Sequence, residues 1–255
     1  MSDQESFISH LIELRTRLLR AAGAVAIVFI ALFLWPGSGA IYDLLALPLI
    51  DVMGPNAKMI ATGVITPFMV PVKVTALAAF MIALPYVLYQ AWAFVAPGLY
   101  ESEKKLAGPL IVASTALFLC GVAFCYFFVF GKVFAFIQGF APKSISPMPD
   151  IEAYFNFVLT MFLAFGVTFE IPIVVILLVR MGIVTVEKLK EARPYVIVGA
   201  FVVAAVVTPP DVLSQFMLAI PMCLLYEAGL FLARFVGTRK NEAKEQTKEQ
   251  AKASF

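Results

Sequence analysis

The chain has 255 residues, of which 62% are hydrophobic and only 14% charged, with a formal net charge of +2. Its mean hydropathy is +0.93, whereas soluble domains carry roughly 45–50% apolar residues, so the composition excludes an ordinary soluble domain. The small net charge also argues against a broad nucleic-acid surface.

Several uncharged runs approach or exceed the ~18–20 residues that cross a bilayer core as helix. The expected class is therefore an all-α polytopic membrane protein with six spans. Span 1 covers 18–35 and follows a charged helix start, His10 to Arg20. On a helix, His10, Glu13, Arg17 and Arg20 share one face. The run ends at Trp35-Pro36 without a small-x-small cleavage pattern, so no signal peptide is expected to be removed. Residues 41–53 are apolar but carry Asp43, Pro48 and Asp51; they are too short to span and read as an interfacial or cap helix. Span 2 covers 67–96, with Pro67 in its first turn and Pro71 and Pro85 inside. A short charged loop with Glu101, Glu103, Lys104 and Lys105 leads to span 3, 106–130. A proline-containing loop then precedes span 4, 151–179.

A basic loop, 180–193, leads to span 5, 194–208, which at 1.5 Å per residue is about 22 Å long. Against a ~30 Å hydrocarbon core that is short. Span 6, 211–233, follows the Thr208-Pro209-Pro210-Asp211 turn and is expected, like span 5, to be short. Residues 237–255 are a polar tail with Lys240, Lys244, Lys248 and Lys252 at intervals of four. The 1–236 region reads as one transmembrane domain, and no internal repeat favours a doubled transporter architecture. With the N-terminus cytoplasmic, 15 of the 19 Lys and Arg lie on the cytoplasmic side. Only Lys58, Lys73, Lys132 and Lys143 lie on the far side. That asymmetry predicts cytoplasmic N- and C-termini.

Few groups suit catalysis. His10 is the only histidine, so a zinc site or a His-dependent protease lacks parts. Tyr126 stands where a P-loop ending at Gly131-Lys132 needs glycine. Cys120, Cys125 and Cys223 sit in apolar runs without metal spacing and read as small core residues. No cofactor or metal is expected, and the chain is not read as an enzyme. Taken alone, Glu13 reads as an i,i+4 partner of Arg17 worth about 0.3–0.5 kcal/mol, and Glu103 as a solvated loop carboxylate. Glu170 lies ten residues before Arg180, about 15 Å into the membrane, and a carboxylate at that depth points to function. Glu152, Asn156, Gly166 and Glu170 share one side of span 4. Asp211 reads as the cap of span 6, and Glu227 as snorkelling or pairing with a basic residue. Thr208 and Gln215 are polar groups suited to hydrogen bonds between helices.

Ordered motifs over residues 8 to about 236 resemble the TatC family, the polytopic receptor subunits of the twin-arginine protein translocase. They are His10-Leu11-Ile12-Glu13-Leu14-Arg15, Ala46-Leu47-Pro48-Leu49-Ile50, Thr66-Pro67-Phe68 and Tyr89-Gln90-Ala91-Trp92-Ala93-Phe94-Val95-Ala96-Pro97-Gly98-Leu99-Tyr100 with Glu103. Further matches are Ala164-Phe165-Gly166-Val167-Thr168-Phe169-Glu170, Arg193-Pro194-Tyr195 and Thr208-Pro209-Pro210-Asp211 with Ser214-Gln215. The resemblance implies a glove-shaped six-helix fold in the bacterial cytoplasmic (inner) membrane. It implies binding of twin-arginine signal peptides of folded precursors at the cytoplasmic face, assembly with other TatC protomers, recruitment of TatB and TatA, and transport driven by the proton-motive force. It assigns Glu13 and Glu103 to the signal's arginine pair, with Arg15, Phe94 and Leu99 bordering that surface. It puts Glu170 on the concave cavity and Thr208 and Gln215 against a partner helix, with Pro48, Phe68 and Asp211 keeping the far side in shape. Lys104 and Lys105 directly after Glu103 depart from the family pattern and would either partly screen it or guide the signal's other charges. The competing reading is a small-solute transporter with Glu170 as its ion site, which predicts uptake by the isolated chain.

Overall fold

The computed structural model describes residues 2–53, 58–95, 107–140, 142, 148–208 and 210–253, with side chains described from Leu11 to Phe235 within those ranges except Val95 and Ala107. Every regular element among them is helical, as the lipid environment requires: in hydrocarbon a helix satisfies its backbone groups within one segment. Among the described residues five stretches are long and apolar enough to cross a bilayer: Leu11–Leu34, Thr66–Phe94, Gly108–Gly139, Ile151–Arg180 and Val212–Phe235. A sixth apolar helix, Arg193–Val207, is shorter, as expected of span 5, whereas span 6 is not short: its apolar stretch, Val212–Phe235, has 24 residues.

The chain divides into two compact units, Met1–Leu163 and Ala164–Phe255. In the first, α1 (Ser2–Leu34) carries the charged start into the apolar run without a break. Gly37 closes the turn after it with φ +94°, a conformation costly for any residue with a Cβ. Helix α2 (Ser38–Met53) and helix α3 (Thr66–Val95) follow. Helix α3 is the hub, packing against α1, α2 and α4 (Ala107–Phe124).

Helix α4 continues through a five-residue π-helical segment, Cys125–Val129, into α5 (Phe130–Gly139). The helix thus runs on past Phe130, where the sequence suggested that span 3 ends. The cause is packing: Phe130, Val133 and Phe134 are buried. The Phe130 ring stacks 5.3 Å from Phe162 and the Phe134 ring lies 5.7 Å from Tyr154, both on α6 (Ile151–Phe169).

Helix α2 is pinned by its own proline. Pro48 has no N–H to give the Leu44 carbonyl, and the Tyr126 hydroxyl donates to that oxygen instead at 2.6 Å. The Tyr154 hydroxyl donates to the next carbonyl, Leu45, at 2.8 Å. A cap helix with an internal proline is thereby bolted to two apolar helices.

Span 4 is not one helix. Pro172 withholds the N–H that would reach the Thr168 carbonyl, and the chain turns at Glu170 before α7 (Ile171–Arg180) begins. The N–H groups of Ile173 and Val174 both close on the Glu170 carbonyl at 3.0 Å. Helix α7 ends in a Schellman turn: Gly182, with φ +73°, bonds Val179 and Ile183 bonds Leu178.

In the second unit, α8 (Val186–Glu191) and α9 (Arg193–Val207) lead to α10 (Val212–Ala253). Helix α10 packs against α7, α8 and α9 around Val175, Val179, Val186, Tyr226, Leu230 and Ala233. It approaches α7 closely at Gly229, where an added Cβ would stand 2.9 Å from the Pro172 Cα. Only glycine fits there.

Candidate functional site

Glu13 lies on α1 with its side chain 35% exposed. Arg17 reaches it one turn later, with Nε at 2.9 Å and Nη2 at 2.5 Å, both from Glu13 Oε1. The i,i+4 pair read from spacing therefore forms, and both of its bonds fall on one oxygen. Arg15 is exposed and points off that pair's face. Phe94 is half-buried near the end of α3, whose last turns are tied to α4 by a Trp92 Nε1–Ser114 Oγ bond of 3.3 Å. Gln90, one turn before Phe94, is 4% exposed. Leu99 and Glu103, with Lys104 and Lys105, lie outside the described residues in the segment joining α3 to α4.

Glu170 occupies the break between α6 and α7 as the N-cap of α7. Its Oε1 is fully enclosed. Thr168 beside it is 2% exposed, so the interruption in span 4 is a polar point inside an apolar stretch.

Thr208, Asp211 and Gln215 come together in the turn between α9 and α10. The Thr208 hydroxyl, 6% exposed, donates to the Ala204 carbonyl at 2.8 Å. Asp211 Oδ1 accepts the Ser214 N–H at 2.7 Å, the capping bond expected of an aspartate there. The Gln215 N–H bonds the Asp211 carbonyl at 3.3 Å, and its side chain is half-buried. At the other end of this unit, Glu227 pairs with Arg193 at 2.7 Å, and the Tyr226 hydroxyl donates to the Leu189 carbonyl at 2.7 Å.

Of the remaining residues, Pro48 is half-buried in α2 and acts through Tyr126, whereas Phe68 in the first turn of α3 is 61% exposed. Among the described residues no group of three or more His, Cys, Asp or Glu could hold a metal.

A family model described as "Sec-independent protein translocase protein (TatC)" matches residues 9–221. The chain belongs to the TatC family. It is 51% identical over 243 residues to the Sec-independent protein translocase protein TatC of Haemophilus influenzae, covering 95% of this chain and 94% of that one. To the Escherichia coli TatC it is 46% identical over 242 residues, covering 94% and 93%. A crystal structure described as the twin arginine translocase receptor TatC is 36% identical with TM-score 0.77, covering 89% of this chain and 99% of that one. The chain is thus a multi-pass membrane component of a protein translocase, a transport protein and not an enzyme.

Sequence reading of this TatC chain missed Asp150. Its Oδ1 accepts the N–H groups of Glu152 and Ala153 at 2.9 and 3.0 Å. Its Oδ2 accepts the Thr62 N–H at 3.0 Å and the Thr62 hydroxyl at 2.8 Å. These donors, the Ala153 N–H foremost, hold the carboxyl below its ordinary value. Asp150 directly precedes an apolar run, so its capping role was readable; its Thr62 partner, 88 residues away, was not. Burial, with Asp43 and Asp150 nearby, pushes the neighbouring Tyr42 phenol up to about 12.

Proposed function

We propose that this TatC chain captures the twin-arginine signal peptides of folded precursors at the cytoplasmic face of a bacterial inner membrane. It then recruits the single-span partners TatB and TatA for export driven by the proton-motive force. The observation that carries the reading is the match, over 89% of the chain, to a structure described as a twin arginine translocase receptor. Six spans with both termini cytoplasmic follow from the Lys and Arg asymmetry, with α9 as the short fifth span.

Glu13 and Glu103 are the carboxylates offered to the two arginines, on a surface bordered by Arg15, Phe94 and Leu99. Arginine presents a planar donor fork to a carboxylate, a geometry lysine does not copy. Because Arg17 engages only Oε1 of Glu13, Oε2 is left for an incoming guanidinium. Arg17 then serves as the group that orients the carboxylate. Thr208 and Gln215 meet a partner's transmembrane helix, where buried polar groups exchange hydrogen bonds between helices. Pro48, Phe68 and Asp211 maintain the far side, and copies of the chain associate in the working complex.

The test is site-specific crosslinking at position 103 with precursors bearing Arg-Arg or Lys-Lys signals. Capture that requires Arg-Arg, and its loss in Glu103→Gln with insertion unchanged, is the expected result. Equal capture of both signals, or undiminished capture by Glu103→Gln, would falsify the assignment. Glu170→Ala is expected to leave signal crosslinking intact while impairing export of a folded substrate. Unchanged export would remove Glu170 from the mechanism.

A further inference from the structure

Between α2, α3, α4 and the π-helical segment lies a cavity of about 350 Å³. That is at the small end of the ~300–1,000 Å³ range of ligand sites. Its walls include Leu45 of α2, Val74, Ala78 and Met81 of α3, and Ala123 of α4. The polar group in the lining is the Tyr126 phenol, and its hydroxyl is already donated to the Leu44 carbonyl. A ligand that needs hydrogen bonds finds none here. An empty apolar space forfeits dispersion contacts along its whole wall, so whatever apolar material is nearest gains by entering.

Two observations identify that material. The wall residues Leu44, Leu119 and Phe127 are 62%, 40% and 82% exposed, so the cavity is continuous with the lipid-facing surface of a multi-pass chain. Its depth follows from the span Gly108–Gly139. The wall residues Leu119, Ala123 and Phe127 lie about 16–28 Å past Gly108 along the helix at 1.5 Å per residue, and so fall at acyl-chain depth. A partner's transmembrane helix, about 10–12 Å across with its side chains, does not fit a space of this size roofed by α2.

We propose that this cavity holds one acyl chain of a bilayer phospholipid, seated beneath α2. The site is a product of sequence features already described. Pro48 leaves the Leu44 carbonyl open, the π-helical segment carries Tyr126 to it, and the small side chains Ala78 and Ala123 leave the room below. Lipid held there would couple the seating of the cap helix to acyl-chain length and packing.

The test uses the full chain in lipid nanodiscs containing a phospholipid with a mid-chain diazirine, irradiated and mapped by mass spectrometry. Adducts on Ala78, Met81 and Ala123 are expected at higher yield than on Ile27 and Ile30, which are exposed within the apolar part of α1. Filling the cavity from two different walls, with Ala78→Phe and separately Ala123→Phe, is expected to remove the adduct on Met81 while those on Ile27 and Ile30 persist. Wall labelling no stronger than at Ile27 and Ile30 overturns the proposal, as does an undiminished Met81 adduct in both filled variants. The wild-type map stands without the variants, so a misfolded variant does not rescue a negative result.

Discussion

The two oxygens of Asp150 do separate jobs, one capping α6 and the other holding Thr62. Its folded pKa is depressed below the ordinary 3.8, so the stability it contributes is complete above 3.8 and lost as pH falls through the folded value. Acidification below about pH 4 is therefore expected to loosen the 58–62 segment from the start of α6. Hydrogen exchange at Thr62 and Ala153 measures this. Asp150→Asn keeps an acceptor for the cap but presents an NH₂ to Thr62, so its exchange is expected to be raised at neutral pH and flat across the acid window. An acid response as steep as wild type in that variant would clear Asp150 of the role. Pairings within one turn, such as Glu13 with Arg17 or Asp211 with Ser214, are legible because helix geometry sets the partner. The Asp150–Thr62 bond is set by tertiary structure, and no local pattern announces it.

At the scale of elements, helix order and approximate length are legible from uncharged runs, and the break inside span 4 is legible in principle from Pro172. Hydropathy alone hides it, because the residues on both sides are apolar. The extension of α4 past Phe130 is hidden for the opposite reason: Gly131 suggests a stop, and only aromatic packing on α6 overrides it. The Pro48–Tyr126 pairing gives this level its sharpest test. In the wild-type chain Tyr126→Phe leaves the Leu44 carbonyl without its donor, a loss of about 1–3 kcal/mol for a group left unsatisfied. In a Pro48→Ala background the backbone N–H regained at position 48 supplies that carbonyl from within α2. The cost of Tyr126→Phe is then expected to fall by about 1 kcal/mol or more, read as a coupling energy in a double-mutant cycle on thermal or denaturant unfolding. Additive costs would mean that the hydroxyl does not stand in for the missing N–H.

For the whole molecule, charge asymmetry predicts an orientation, and the tertiary contacts show which helix ends lie together. Six spans starting from a cytoplasmic N-terminus put the beginnings of spans 2 and 4 on the far side. In the first unit those beginnings are joined: Lys73 on α3 pairs with Glu152 on α6 at 2.9 Å, and Ile60 bridges to Asp150. Two helices that start from the same side have their first turns adjacent, as found. In the second unit, Arg193 at the head of α9 meets Glu227 in the later half of the apolar part of α10, as a hairpin returning to its starting side requires. The topology is testable in intact cells after the three cysteines, Cys120, Cys125 and Cys223, are replaced by alanine. Lys58→Cys and Lys143→Cys are expected to react with a membrane-impermeant maleimide added outside the inner membrane. Lys188→Cys and Lys248→Cys are expected to react only after that membrane is permeabilised. Labelling of position 188 in intact cells would move α8 to the far side, and the six-span arrangement with two cytoplasmic termini would fall with it.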